Sequence, residues 1–481
     1  MTDDHLAFLD IGTLGAMLRR AELSPVELTE LALDRLERVG RPLNAVASLM
    51  PETARREARL AEAELRAGLD RGPLHGIPYG LKDIVAATGA PTTWGARPFA
   101  AQQFDEEATV TRKLRDAGAI LVAKLATIEL AGGMGYDHPD ASLSGPPANP
   151  WDPTRWTNGS SSGPAAAVAA GLVPFAIGSD TGGSILLPAA FTGTAGLRAT
   201  FGRVSRFGAM TLCWTLDRLG PLCRSARDCG LVLEAITGLD PRDPTTLAAP
   251  WAFRPDSARQ NGFRFGVIAS AMEQADAEVR SAFEASLEVL KSLGTVEFVS
   301  LPELPYADVT NIVVSAEVYA AFDDFIASGR TVELTAAKAH AHRIAAAVLP
   351  AHDYIRAQRI RAIIAAQFGA LACGYDALLA PTLGTVASHV DRTFEYMLPR
   401  DAGRPLNLAG VLSGSPTISV FNGFGRDGLP TGLQFAGAPF RETAILAAAM
   451  AFEAHTSWHS LHPALGEVAP PEPNRPEEAR T

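Results

Sequence analysis

The chain has 481 residues, which at roughly 150 residues per domain allows about three domains or one large α/β domain with an elaboration. Its hydrophobic share of 47% and charged share of 20% are those of a globular protein, and a chain this long needs no disulfide or metal to hold a core. The 42 basic residues against 53 acidic ones leave a net charge of −11, with no run of Lys and Arg, so attraction to a phosphate backbone is excluded and no nucleic-acid partner is expected.

In chain order, residues 1–70 read as an N-terminal helical segment. Ser24-Pro25-Val26-Glu27 fits a capping box with Pro at the first helical position, and Leu28, Leu31, Ala32 and Leu36 continue an apolar stripe. The Met1-Thr2-Asp3-Asp4 start is acidic where a secretory leader is basic. The longest apolar run, Ala165 to Gly178, is too short to cross a bilayer and contains Pro174. A cytoplasmic protein without a membrane partner is expected. A second helix spans 51–68, closing at Gly68. Residues 71–237 then alternate turns, helices and short apolar strands: Leu81 to Val85, a helix over 107–117, a strand over 119–123, a helix from Pro164 to Leu172, and a strand from Val173 to Ile177. That alternation predicts an α/β fold, a large mixed β-sheet covered by helices on both faces.

Residues 238–262, rich in Pro, Asp and Arg, read as a surface linker. Residues 263–468 resume the α/β pattern, with a helical elaboration over 311–372 and strands at 376–381 and 416–436. The Pro- and Glu-rich tail, 469–481, is expected to be disordered. Cys213, Cys223, Cys229 and Cys373 form no C-x-x-C pair and read as buried free thiols.

Two turns carry the chemistry. Thr157-Asn158-Gly159-Ser160-Ser161-Ser162-Gly163-Pro164 and Gly178-Ser179-Asp180-Thr181-Gly182-Gly183-Ser184 flank one helix-strand unit. Glycine-rich backbone lets N–H groups point into a concavity, and a helix beginning near Ser184 would add partial positive charge. Such a turn suits an oxyanion hole beside a nucleophilic serine. A phosphate loop is set aside because no Lys follows either glycine cluster. Gly159 to Gly163 also matches G-x-S-x-G, but that elbow follows a buried strand, and Pro150 to Thr154 does not read as one.

A serine nucleophile needs a base. His75 lies in a Pro/Gly turn and reads as a packing residue. His340 and His342 stand two apart, on opposite sides of a helix, so no metal site is expected. Lysine is the other option. Lys82 lies in apolar Gly80-Leu81-Lys82-Asp83-Ile84-Val85, where burial favours the neutral amine. Lys124 competes with it and reads instead as a structural partner of Glu129.

Together with Gly76 to Asp83, Gly196 to Ser205, Leu216 to Pro221, Tyr375 to Thr382 and Gly428 to Gln434, these motifs resemble the amidase signature family over most of the chain. The resemblance implies a Ser–cis-Ser–Lys triad, with Ser184 as nucleophile, Ser160 as bridging serine after a cis peptide, and Lys82 as base. It implies oxyanion donors on the backbone of Thr181, Gly182, Gly183 and Ser184, no cofactor, and a homodimer as one expected assembly.

The chain departs from the family where Leu186 replaces the arginine common two residues after the nucleophile. It departs again where Ala131-Gly132-Gly133 replaces a bulkier substrate-side segment. Ala131, Gly132, Gly133 and Leu186 are therefore read as lining a roomy, apolar substrate pocket. The expected activity is hydrolysis of aryl or alkyl amides through an acyl-enzyme, extending to carbamates (urethanes) as in the aryl acylamidase and urethanase branch. The alternative is the glutamine-hydrolysing subunit of a tRNA-dependent amidotransferase. A third reading is a catalytically silent scaffold, which an intact Lys82, Ser160 and Ser184 disfavours.

Overall fold

Ser24 caps the helix Pro25–Arg35, its hydroxyl accepting from Val26 N–H while the Glu27 carboxylate accepts from Ser24 N–H. The structure, a computed structural model, describes residues 3–257, 259–336, 344–393 and 404–465. The N-terminal segment is not helical throughout. Between the helices Pro25–Arg35 and Pro51–Arg66, residues Val46–Leu49 form a strand at one edge of the main sheet.

Thirteen strands are described: β1 (Val46–Leu49), β2 (Pro78–Lys82), β3 (Ile120–Leu125), β4 (Ala148–Asn149), β5 (Asp152–Trp156), β6 (Phe175–Asp180), β7 (Ala195–Arg198), β8 (Arg218–Cys223), β9 (Phe263–Ile268), β10 (Gly294–Val299), β11 (Ala377–Pro381), β12 (Thr417–Phe424) and β13 (Pro430–Ala436). Eleven of them form one sheet in the order β1-β3-β2-β6-β8-β7-β12-β13-β11-β9-β10. β2 runs parallel to both β3 and β6, whereas β6 and β8 are antiparallel, so the sheet is mixed. It passes without a break from the first half of the chain to the second through the β7–β12 pair.

Alternation along the strands feeds two cores. On β6, Phe175 and Ile177 join a cluster with Leu114 and Val232 from the helices Thr109–Asp116 and Ala226–Ile236. Ala176 faces the other way, toward Leu33, Ala58 and Ala166 from the helices Pro25–Arg35, Pro51–Arg66 and Ser162–Ala169. Helices thus cover both faces, as the pattern predicts.

Several boundaries move. The helix expected from Pro164 begins at Ser162, and the strand expected over 173–177 runs Phe175–Asp180. Gly178 to Asp180 therefore lie in a strand, and the turn starts only at Thr181. The next helix, Leu186–Thr192, begins two residues after Ser184. The elaboration contains the helices Tyr306–Ala321 and Ala351–Cys373.

The stretch 238–262 is no free linker, because Asp240 and Asp243 are buried. Asp240 accepts from the hydroxyls of Thr109 and Ser205, and Asp243 accepts from Arg206 N–H. Composition alone reads such residues as solvated, but their hydrogen bonds tie the segment down. Cys213, Cys223 and Cys229 are buried free thiols, while Cys373 is exposed. His340, His342 and the tail from 469 lie outside the described residues. Among the described residues, no helix is long and apolar enough to cross a membrane, and no His/Cys/Asp/Glu cluster could hold a metal.

Candidate active site

Lys82 is the last residue of β2, a strand buried on both faces, and its side chain is fully enclosed. Its Nζ lies 2.8 Å from Ser160 Oγ, 3.0 Å from Ser161 Oγ and 2.9 Å from Ser179 Oγ. Burial pulls the Lys82 pKa down to about 7, against the opposing pull of Asp180 and Asp217. No carboxylate forms an ion pair with it among the described residues.

The neighbouring Asp83 points to the opposite side, as successive strand residues do. There it meets Lys124 at 2.8 Å, with both side chains fully buried. Lys124 also donates to Thr92 Oγ1 at 2.7 Å. Lys124 is structural, but its partner is Asp83 and not Glu129. Glu129 instead accepts from the N–H groups of Thr335 and Ala336. His75 packs as the turn predicts: it is buried, with Nε2 3.0 Å from Glu64 and Nδ1 accepting from Arg71 N–H.

Ser160 follows a cis peptide bond from Gly159. The strand before it, β5, pairs with β4 in a two-stranded ribbon apart from the main sheet and bridges the backbone at His389, so the G-x-S-x-G match does not follow a strand of the main sheet. Gly163 allows the tract to sit close against β3. Its N–H donates to Ala126 O at 2.9 Å, and a Cβ there would strike the Ala126 backbone. Ser161 N–H donates to Ser184 O at 3.2 Å, which joins the two serine turns directly.

The Ser184 turn is held by Asp180. Its carboxylate accepts from Gly183 N–H at 2.8 Å and from Ile185 N–H at 2.9 Å, and it pairs with buried Arg198 at 3.3 Å. Gly183 has a φ of +128°, where an added Cβ would meet Leu187 and Asn407. Because its N–H is committed to Asp180, Gly183 drops out of the expected oxyanion donors. Thr181, Gly182 and Ser184 remain.

Asp180 and Ser179 belong to the second motif, yet the sequence reading assigns neither a role. A carboxylate inside a Gly/Ser turn is itself a cue, because it can accept the turn's own N–H groups.

A cavity opens beside this turn, lined by Ser179, Thr181 and Ala131 together with Phe207, Met210 and Trp214. Of the expected pocket residues, only Ala131 lines it. Gly132 and Gly133 do not: a Cβ on Gly132 would meet Tyr136, and one on Gly133 would meet Leu212 and Phe322. Leu186 is fully buried within the protein and is corrected from pocket residue to core residue, because the helix it starts turns its side chain inward.

A single sheet joining both halves, a buried lysine among serines and a glycine turn of free N–H groups define an amide-cleaving class of α/β enzyme. A family model described as Amidase matches residues 27–446, and the chain belongs to the amidase signature family. One subunit of the glutamyl-tRNA(Gln) amidotransferase of Chloroflexus aurantiacus is 36% identical over 97% of this chain and 100% of its own length. The native peptide amidase of Stenotrophomonas maltophilia superposes with a TM-score of 0.82 at 31% identity, covering 93% of this chain and 96% of its own. A bacterial aryl acylamidase of the amidase signature family superposes with a TM-score of 0.82 at 25% identity, covering 94% and 97%.

The expectation of no nucleic-acid partner is overturned by the Chloroflexus relative, which belongs to an enzyme named for glutamyl-tRNA(Gln). Net charge speaks only to direct attraction between one chain and phosphate. It says nothing of an assembly in which another chain touches the nucleic acid.

Proposed function

We propose that the chain hydrolyses a carboxamide C–N bond through an acyl-enzyme on Ser184. The observation that carries this reading is the buried Lys82 amine surrounded by three hydroxyls. A neutral amine has two N–H groups and one lone pair. Ser161 Oγ donates to Ser179 O and accepts from Ser179 N–H, so toward Lys82 it can only accept. One Lys82 N–H therefore goes to Ser161, and when the other goes to Ser179 the lone pair faces the Ser160 hydroxyl.

In this arrangement the Ser184 proton passes to Ser160 as the Ser160 proton passes to Lys82, and Ser184 Oγ forms its bond to the carbonyl carbon. The oxyanion is held by the N–H groups of Thr181, Gly182 and Ser184. Lys82 returns the proton through Ser160 to the leaving nitrogen. Water, activated by the same pair, then cleaves the ester.

For the substrate, the relatives support glutamine. Alignment at 36% identity across the full length of one chain of a glutamyl-tRNA(Gln) amidotransferase favours a glutamine-hydrolysing subunit that works with partner chains. A second reading is favoured by the cavity wall. Its three arginines are already engaged: Arg206 with Asp243, Thr245 and the Trp214 carbonyl, Arg218 with the carbonyls of Val411 and Ser415, and Arg242 with Glu106 and Thr109. Asp217 and Asp243 are engaged as well, and the apolar side chains of the lining, Ile84, Phe207, Met210, Leu212 and Trp214 among them, suit an uncharged aryl or alkyl amide, or a carbamate, taken by a stand-alone amidase.

The test is release of ammonia from glutamine, with and without amidotransferase partner chains, beside release of aniline from anilides and aryl carbamates. Ammonia that depends on the partners supports the first reading, and aniline from the chain alone supports the second. Turnover retained by Ser184→Ala would defeat both.

A further inference from the structure

Residues 212–217 form part of the wall of the cavity and place Leu212, Trp214 and Asp217 on it. The strip has no helix or strand of its own before β8 begins at Arg218. Two helices of the second half hold it from behind. Glu317, on the helix Tyr306–Ala321, accepts from Thr215 N–H at 2.8 Å, Thr215 Oγ1 at 2.7 Å, Tyr354 OH at 2.8 Å and Cys213 Sγ at 3.2 Å. Arg361, on the helix Ala351–Cys373, donates to Thr215 O and Thr215 Oγ1, each at 2.8 Å, and to Leu412 O at 3.0 Å. The Thr215 hydroxyl thus accepts from a guanidinium and donates to a carboxylate, so both bonds are charge-assisted.

Two residues on, Asp217 accepts from the N–H groups of Leu212 at 2.8 Å and Cys213 at 2.9 Å, which folds the strip onto itself. Its other oxygen accepts from Thr181 Oγ1 at 2.6 Å. Thr181 opens the turn that carries Ser184, and its N–H is one of the three donors left for an oxyanion. A run of hydrogen bonds therefore leads from Glu317 to Cys213, from the Cys213 N–H to Asp217 and from Asp217 to Thr181, with Thr215 anchored beside it by Glu317 and Arg361.

We infer that Glu317 is a positioning residue for amide cleavage: it fixes the strip 212–217 so that Asp217 holds Thr181 in place beside Ser184. The inference rests on Ser184 being the nucleophile. Without the Glu317 carboxylate, Cys213 Sγ–H and Thr215 N–H lose their acceptor, and the strip is held from behind by Arg361 alone. An oxyanion donor acts mainly in the transition state, so its displacement lowers kcat and leaves KM nearly unchanged. Lys82 makes no hydrogen bond to the run, but Asp217 is one of the two carboxylates that act on its amine, so the split between kcat and KM is the readout and the pH midpoint is not.

The experiment compares wild type, Ser184→Ala, Glu317→Gln and Thr215→Val on one amide, with kcat referred to active sites titrated by acyl-enzyme burst. Activity in wild type and its loss in Ser184→Ala secure the nucleophile. If Ser184→Ala keeps wild-type turnover, the amidase reading fails and this inference fails with it.

With the nucleophile secured, Glu317→Gln is expected to lower kcat about 10- to 100-fold, with KM within about threefold. Thr215→Val removes one hydroxyl and is expected to lower kcat less, in the same direction. It also provides the test should Glu317→Gln fail to fold. Wild-type kcat per active site in whichever variants fold overturns the inference. So does a loss confined to KM.

Discussion

Lys82 Nζ lies 2.8 Å from Ser160 Oγ although 78 residues separate them in the chain. The pair sits where β2 ends beside β6, and the same strand pairing brings Ser179 Oγ within 2.9 Å of the amine. A lysine without an ion-pair partner in such a place is poised to take a proton near neutral pH.

The pH profile follows from that amine. Burial sets its pKa at about 7. Below that value Lys82 is protonated and cannot accept a proton, so kcat/KM is expected to fall about tenfold per pH unit on the acid side. Above it the rate levels off. Steady-state rates from about pH 5 to pH 9 check this, and a flat profile would remove Lys82 as the base.

Removing the three groups proposed to react is expected to have unequal effects. Ser184→Ala and Lys82→Met should each lower kcat about 10³-fold or more, and Ser160→Ala somewhat less, because the steps they serve are shared and their losses do not add. Burst kinetics with a chromogenic amide separate them: Ser184→Ala shows no burst at all.

Asp180→Asn is expected to reduce kcat on the order of 10²-fold while the protein stays folded. The carboxylate accepts from two N–H groups of the nucleophile turn, whereas the asparagine amide nitrogen would meet one of them as a second donor. Thermal unfolding recorded beside the kinetics tells a displaced turn from a lost fold.

Lys124→Met bears on stability and not on chemistry. It leaves Asp83 buried without its cation, and urea unfolding is expected to show a loss of about 3–5 kcal/mol. The double variant Asp83→Asn/Lys124→Met should recover part of that loss, since it removes the stranded charge. Turnover per folded molecule should change little in either.

Much of the fold is legible in the chain because its causes are local. The Ser24–Glu27 box acts over one helical turn, and the apolar runs at Ile120–Leu125 and Ala377–Pro381 are short enough to be strands and buried on both faces. Boundaries differ by two or three residues where a polar residue continues a strand. Gly178-Ser179-Asp180 looks like a turn by composition, but β8 supplies the strand partner that extends it.

The strand-and-helix alternation, the two Gly/Ser turns and the lysine in an apolar strand are all written in the chain. Each is a pattern among near neighbours, governed by backbone conformation and side-chain periodicity. Folding in three dimensions was needed to pair Lys124 with Asp83, to commit the Gly183 N–H to Asp180, to turn Leu186 into the core and to bring Glu317 to Cys213 and Thr215. Those outcomes depend on which strands lie side by side and which carbonyls, carboxylates and hydroxyls burial leaves within about 3 Å of one another. No spacing along the chain encodes that.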